Sequence, residues 1–286
     1  MRPSLLLTAL ALAGSFCASG QYFEAGVSVG AANYAGDLSD GDFLPAEYRG
    51  AIGLFTRYNY NERLAARATV TLGSVQGADA RSHNAPQVSR NLDFESPLAE
   101  VAVMGEFNVL PYAPRNHDVA ALYVTAGVAG FRFNPTTTFN GETVELQPLQ
   151  TEGVSYSRIS VAIPFGGGLK VNLTDRLNLG LEVIARKTFT DYLDDVSGDY
   201  ADVDAQHAAD PRTAALSFRA PQYTGEALEN PVGTARGNVA GDDFYLTALL
   251  SVGFNLTTKQ GMDFDGRYAI FKTPPQAARV QGPLGD

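Results

Sequence analysis

The stretch Arg158–Val196, RISVAIPFGGGLKVNLTDRLNLGLEVIARKTFTDYLDDV, decides the fold. It reads as two strands joined by the turn Thr174-Asp175-Arg176. In the first strand Ile159, Val161, Ile163, Phe165, Leu169, Val171 and Leu173 share one phase of a period-two alternation. Arg158, Ser160, Gly166, Gly168, Lys170 and Asn172 take the other. The return strand sets Leu177, Leu179, Leu181, Val183 and Ala185 against Asn178, Gly180, Glu182 and Arg186. Period two puts each set on its own face of a sheet. The apolar face belongs against either a protein core or hydrocarbon, and one hairpin fits both.

The same pattern recurs on either side and gives eight predicted strands. The other six cover about Phe23–Tyr34, Glu47–Tyr60, Leu64–Ser74, Leu92–Val109, Val119–Phe133 and Phe244–Leu256. Their connections alternate long and short, so every long loop falls at one end. That asymmetry, with an even strand number, is the pattern of an outer-membrane barrel with short periplasmic turns and long external loops. The ionisable residues also keep one phase, and Arg132, near a strand end, is the exception. A charge on the lipid face at mid-membrane costs roughly 2–4 kcal/mol, which explains a face kept free of charge. A soluble lipocalin-like barrel would be polar outside and apolar inside.

The predicted fold is therefore all-β: an eight-stranded antiparallel transmembrane up-and-down barrel with long external loops and a short periplasmic tail. The interior of such a barrel is just wide enough for side chains. Glu24, Arg57, Arg67, Glu100, Glu106, Lys170, Glu182 and Arg186 are predicted to fill it as paired charges, since buried charges need partners. A plugged lumen argues against an open pore.

The 286 residues are 45% hydrophobic and 18% charged, with 29 glycines and no tryptophan, a composition that suits strands and turns. The formal charge is -10 with no basic stripe, so nucleic acid is not an expected partner. The acid is concentrated in two predicted loops. Residues 36–46 carry Asp37, Asp40 and Asp42 without a base, and residues 191–243 carry eleven acids against Arg212, Arg219 and Arg236. The strands are close to neutral.

Residues 1–20 read as a signal peptide to be removed. Arg2 starts it, Leu5–Ala13 is a short apolar run, and Ala18-Ser19-Gly20 precedes Gln21 as the expected new N-terminus. The run is too short for a transmembrane helix. Cys17 is the sole cysteine, and bulky Phe16 before it disfavours a lipoprotein reading. The barrel domain is assigned to 21–256. Residues 257–286, with Pro274, Pro275 and Pro283, read as a flexible periplasmic tail. Its aromatic residues Phe264, Tyr268 and Phe271 are candidates for docking a periplasmic partner.

No catalytic, cofactor or metal site is predicted, and no small-molecule substrate is evident. His83, His117 and His207 lie in predicted connections outside any recognisable motif. A membrane acyltransferase or lipase would have to use one of them as its base. Gly166-Gly167-Gly168 lies within a strand, where glycine marks a bend or close backbone approach rather than a phosphate cradle. Asp195, Ser197 and Asp199 have the first spacings of a calcium loop. Tyr200 replaces its turn glycine and Gln206 its last carboxylate, leaving a solvated acidic loop as the expectation.

Several stretches together resemble one family. They are Asn33-Tyr34-x-Gly36-Asp37-Leu38, Arg57-Tyr58-Asn59-Tyr60, Glu106-Phe107-Asn108 with Leu110-Pro111-Tyr112, Leu146-Gln147-Pro148-Leu149, Pro164-Phe165-Gly166-Gly167-Gly168, and the run from Arg186 to Ser197. The chain is similar over most of residues 22–256 to the PorG-like outer-membrane proteins of the type IX secretion system. The resemblance implies a non-enzymatic barrel in outer-membrane lipid that anchors periplasmic ring subunits of that machinery. The alternative is a stand-alone structural barrel or narrow channel.

Overall fold

A computed structural model describes residues 22–39, 47–110, 120–174, 176–238 and 241–256. The predicted leader and tail, with Phe264, Tyr268 and Phe271, lie outside the described residues. Ten strands run in chain order: β1 (Tyr22–Ala35), β2 (Arg49–Asn59), β3 (Leu64–Ala78), β4 (Asp93–Asn108), β5 (Ala120–Phe133), β6 (Thr136–Phe139), β7 (Glu142–Glu145), β8 (Ile159–Asn172), β9 (Leu177–Thr188) and β10 (Phe244–Asn255). Eight of them close an antiparallel barrel in the order β1-β2-β3-β4-β5-β8-β9-β10, with β10 returning to β1. Closure removes every free edge from the wall.

The alternation read from the sequence sets the two faces. Val27, Ile52, Val70, Val101, Val128, Val161, Leu181 and Leu250 all point outward and are exposed. Glu24, Arg57, Arg67, Glu100, Glu106, Lys170, Glu182 and Arg186 of the barrel strands point inward and are buried, while Arg49, Glu95 and Lys187 near the long-loop end are partly exposed. This polarity is inside-out relative to a water-soluble barrel and fits a wall in hydrocarbon. Arg132 points outward at the long-loop end of β5, where the interface tolerates charge. Two short connections are set by side chains. Asn61 Oδ1 accepts from Arg63 N and Leu64 N at 2.8 Å, and Thr174 Oγ1 accepts from Leu177 N at 3.0 Å.

At the other end the connections, expected from the sequence to be loops, build a folded cap. β6 and β7 form a hairpin outside the barrel that joins β4 at Glu95–Thr136. Its turn is Asn140-Gly141, both at positive φ (51° and 83°), as a two-residue hairpin of this hand requires. Four short helices follow the same pattern of local signals: α1 (Ala85–Arg90), α2 (Val203–Ala209), α3 (Pro211–Ser217) and α4 (Ala220–Thr224). Asp202 caps α2 and Asp210 caps α3, each accepting two main-chain N–H groups. Pro211 occupies the first turn of α3, where its missing N–H costs nothing.

Residues 191–243 are thus not the solvated acidic loop expected. Asp194 and Asp195 are each 1% exposed. The region buries Leu193, Val196 and Leu216 in one core with Phe131 and Phe133 of the barrel. Apolar burial explains why this acid-rich connection folds at all.

Candidate functional site: the charged lumen and its cap

The lumen is filled in tiers. Nearest the short turns lie Glu24, Arg57, Arg67, Glu106, Lys170 and Glu182, all buried. Register brings them level: Glu24 pairs with Arg57 across β1–β2, and Arg57 with Arg67 across β2–β3. Glu106 is the hub. Its carboxylate accepts Arg57 Nε at 2.8 Å and Nη2 at 3.1 Å, and Lys170 Nζ at 2.7 Å. Arg67 Nε lies 3.2 Å away. Arg57 also donates to Glu24 at 2.6 Å, while Arg67 and Tyr123 both donate to Glu182. Three carboxylates face three cations, so the tier is neutral.

Phe55, Met104, Ile184 and Leu249 make an apolar layer above it. A gap of about 10 Å³, lined by these four residues together with Arg67, Glu182, Arg186 and neighbouring hydroxyls, is no larger than one water needs. The next tier is the bidentate pair Arg186–Glu100, at 3.0 and 3.1 Å, with the Tyr245 hydroxyl donating to Glu100 and Arg186 donating to Thr247. All eight residues singled out from the sequence therefore point into the lumen. Four acids and four bases meet there, drawn from strands β1, β2, β3, β4, β8 and β9. Gly168 makes room in the wall: a Cβ there would lie 2.6 Å from the Tyr123 hydroxyl and from the Leu181 carbonyl. This is close backbone approach within a strand.

Aromatic rings carry the packing upward. Tyr245 meets Phe131 edge-on at 5.6 Å, Phe131 meets Phe133 at 5.7 Å, and Phe133 meets Tyr156 at 6.4 Å. Tyr156 then stacks on Tyr192 at 4.4 Å. The last two belong to the cap.

The cap is clasped by two arginines. Arg236, buried, donates through Nη1 to Glu152 at 3.0 Å and to the Asp195 carbonyl at 2.6 Å, and through Nε to the Ser217 carbonyl at 3.2 Å. Glu152 also accepts the Ser197 and Gly198 N–H groups. Arg90 grips Asp79 bidentately at 2.8 and 2.7 Å and reaches the Asp37 and Arg236 carbonyls. Asp195 accepts Thr151 and Tyr156 hydroxyls at 2.6 Å. Burial outweighs the nearby Arg236 and raises its carboxyl to about 6. Burial likewise lifts Asp191 to about 7.

The family model described as "Domain of unknown function (DUF6089)" matches residues 4–207. The chain belongs to that family. The DUF6089 match takes in β1 to β9 and ends within α2, so most of the helical cap and β10 lie beyond it. No curated protein matches the chain. Among solved structures it is similar to Ail, the attachment invasion locus protein of Yersinia pestis, at 12% identity and TM-score 0.38, over 82% of this chain and 99% of that one. Neisserial surface protein A gives 10% and 0.39 over 83% and 98%. OprG from Pseudomonas aeruginosa gives 7% and 0.38 over 84% and 97%. The fold rests on the strand pairing rather than on these distant likenesses.

Sequence reasoning missed the cap network of Tyr34, Asp79, Arg90, Glu152, Asp194, Arg236 and Asp243. One signal was present: two stretches of the family resemblance, Asn33–Leu38 and Arg186–Ser197, meet here. The spacing of Asp195, Ser197 and Asp199 does not gather ligands. Asp195 is turned to Tyr156, Thr151 and Arg236, and Asp199 is exposed beside a bridge to Ala235. Among the described residues no three His, Cys, Asp or Glu side chains are grouped to hold a metal ion. His83 and His207 are exposed in the cap, and His117 lies outside the described residues.

Proposed function

We propose that this protein is a non-enzymatic, non-conducting barrel of the bacterial outer membrane that serves type IX protein secretion as an anchor for periplasmic ring subunits. The observation that carries the non-conducting part is the lumen. Two neutral charge tiers, an apolar layer and a folded cap occupy the path that a solute would take. A barrel that passes nothing acts through its surfaces. The outward apolar band supports residence in outer-membrane lipid. The secretion role rests on the resemblance of the sequence stretches to PorG-like proteins, and the aromatic trio Phe264, Tyr268 and Phe271 is the proposed docking element.

Affinity purification of a tagged copy from detergent extracts is expected to recover periplasmic ring subunits, and to lose them when the three aromatic residues become alanine. Recovery of none from wild type would leave the second reading, a stand-alone structural barrel, which the same plug and cap also suit. Planar-bilayer recording separates both from a channel: steady ion current at low voltage would overturn the plugged lumen.

A further inference from the structure

The Tyr34 hydroxyl sits between two buried carboxyl groups, 2.5 Å from Asp194 Oδ2 and 3.1 Å from Asp243 Oδ1. A phenol has one hydrogen and donates it to one acceptor. The other carboxyl oxygen then faces a phenol lone pair, which is attractive only if that carboxyl brings a hydrogen of its own. The remaining oxygens are already engaged: Asp194 Oδ1 accepts Val196 N and Asp243 Oδ2 accepts Leu193 N, both at 2.9 Å. Gly36 closes the site. A Cβ there would lie 2.1 Å from both Asp243 Oδ1 and the Tyr34 hydroxyl, so the trio is packed at contact distance.

The surroundings supply no cation paired with the trio, although Arg90 acts on Asp194 from a distance and pulls its carboxyl down against burial. Asp37 follows β1, and Asp191 and Asp195 share the segment with Asp194. Arg90 on α1 is committed to Asp79, Arg236 to Glu152, and Arg219 to Asp93. Lys187 lies outside, 4.0 Å from exposed Asp242. Among the described residues no basic side chain makes an ion pair with Asp194 or Asp243. Two unpaired carboxylates in one buried site repel, and one of them keeps its proton.

We infer that the cap is latched by a single proton shared through Tyr34 between Asp194 and Asp243, and that losing this proton unlatches it. Donation from Tyr34 to the nearer Asp194 leaves Asp243 as the proton holder. Burial raises both carboxyls well above the ordinary aspartate range, and Asp194 raises Asp243 further. The closed cap therefore binds a proton that the open cap releases. Closure is fully favoured below the ordinary aspartate value and weakens as pH climbs toward the raised native value. Opening would separate the cap rings Tyr156 and Tyr192 from Phe133 of the barrel, so the latch sets access to the barrel mouth.

The test follows amide exchange at Leu193 and Val196 in the full-length protein in detergent, corrected for intrinsic rates. Wild-type protection is expected to fall tenfold or more between about pH 5 and about pH 9. In Asp243→Asn the amide donates to Tyr34 without a titrating proton; protection is expected to keep only the smaller fall that Asp195 and Asp191 contribute up to about pH 7 and to stay level above it. Flat wild-type protection overturns the latch, as does an Asp243→Asn variant that opens at the same midpoint. Infrared spectra of wild type alone provide the second readout if the variant's cap does not form. A protonated-carboxyl band should vanish over the same interval as protection falls, and its absence at neutral pH overturns the proposal.

Discussion

Lumen and cap both bury charge, and they solve the problem in opposite ways. In the lumen four acids face four bases, and each is held by a partner on another strand. In the cap acids outnumber the arginines that reach them, and Asp191, Asp194, Asp195 and Asp243 are pushed up by burial rather than down by cations. Breaking a matched set strands an uncompensated charge in a medium that cannot solvate it. An undermatched set holds protons instead, and so answers to pH. The wall of the protein is therefore fixed by composition, whereas its lid is conditional on the medium.

The sharpest way to break this contrast is at the lumen hub. Glu106→Ala leaves Arg57, Arg67 and Lys170 facing one another, and a loss of about 3–5 kcal/mol in global stability is expected. Denaturant unfolding in detergent measures it. A loss below about 1 kcal/mol would mean that water enters the lumen and screens the tier.

Arg236→Ala removes the cap's central clasp. A loss of similar local size is expected, confined to the cap: amide protection collapses at Ser197, Gly198 and Leu193, while β1 and β10 keep theirs. Equal loss in both regions would show that cap and barrel unfold as one unit.

The outer face gives a smaller effect. Val101 is 60% exposed near the middle of β4. Val101→Arg is expected to cost roughly 2–4 kcal/mol in a bilayer and little in a water-soluble setting. The same substitution without effect on lipid-reconstituted stability would remove this face from the hydrocarbon.

Between pH about 4 and about 7 the cap should loosen and the lumen should not. Asp195 at about 6 and Asp191 at about 7 hold protons in the closed cap that they give up once solvated. Their contribution is fully present below the ordinary aspartate value and fades as pH rises through those figures. Exchange measured separately for cap and strand amides checks it. The smallest effect belongs to the exposed pair Arg49–Glu95, 2.9 Å apart. Arg49→Gln is expected to shift stability by less than about 1 kcal/mol.

The same contrast governs what could be read in the chain. The lumen was legible because β geometry converts a local period of two into a global inside and outside. Each charge announces its face through its own neighbours, and closure in register brings those faces together. The cap has no such period. Tyr34 meets Asp194 across 160 positions and Arg90 meets Arg236 across 146, and nothing local in either segment specifies the other. Composition misled there too. The eleven acids between 191 and 243 look uniformly solvent-bound, yet Asp194, Asp195 and Asp243 are buried beside the core that holds Leu193, Val196 and Leu216. Two parts of the cap did carry local signals. Asn140-Gly141 is a hairpin turn by its residue types, and Asp210-Pro211 is a helix start.

The aromatic run from Tyr245 through Phe131, Phe133 and Tyr156 to Tyr192 also bears on display of foreign peptides. Tags or epitopes inserted at the solvent-facing tips, Asn140-Gly141 or Glu226–Glu229, would ride on the surface and leave the rings in place. The same insert between Thr151 and Ser157 would shift Tyr156 out of the middle of the run. Grafting the lid onto a related scaffold would then require transplanting the two barrel phenylalanines with it.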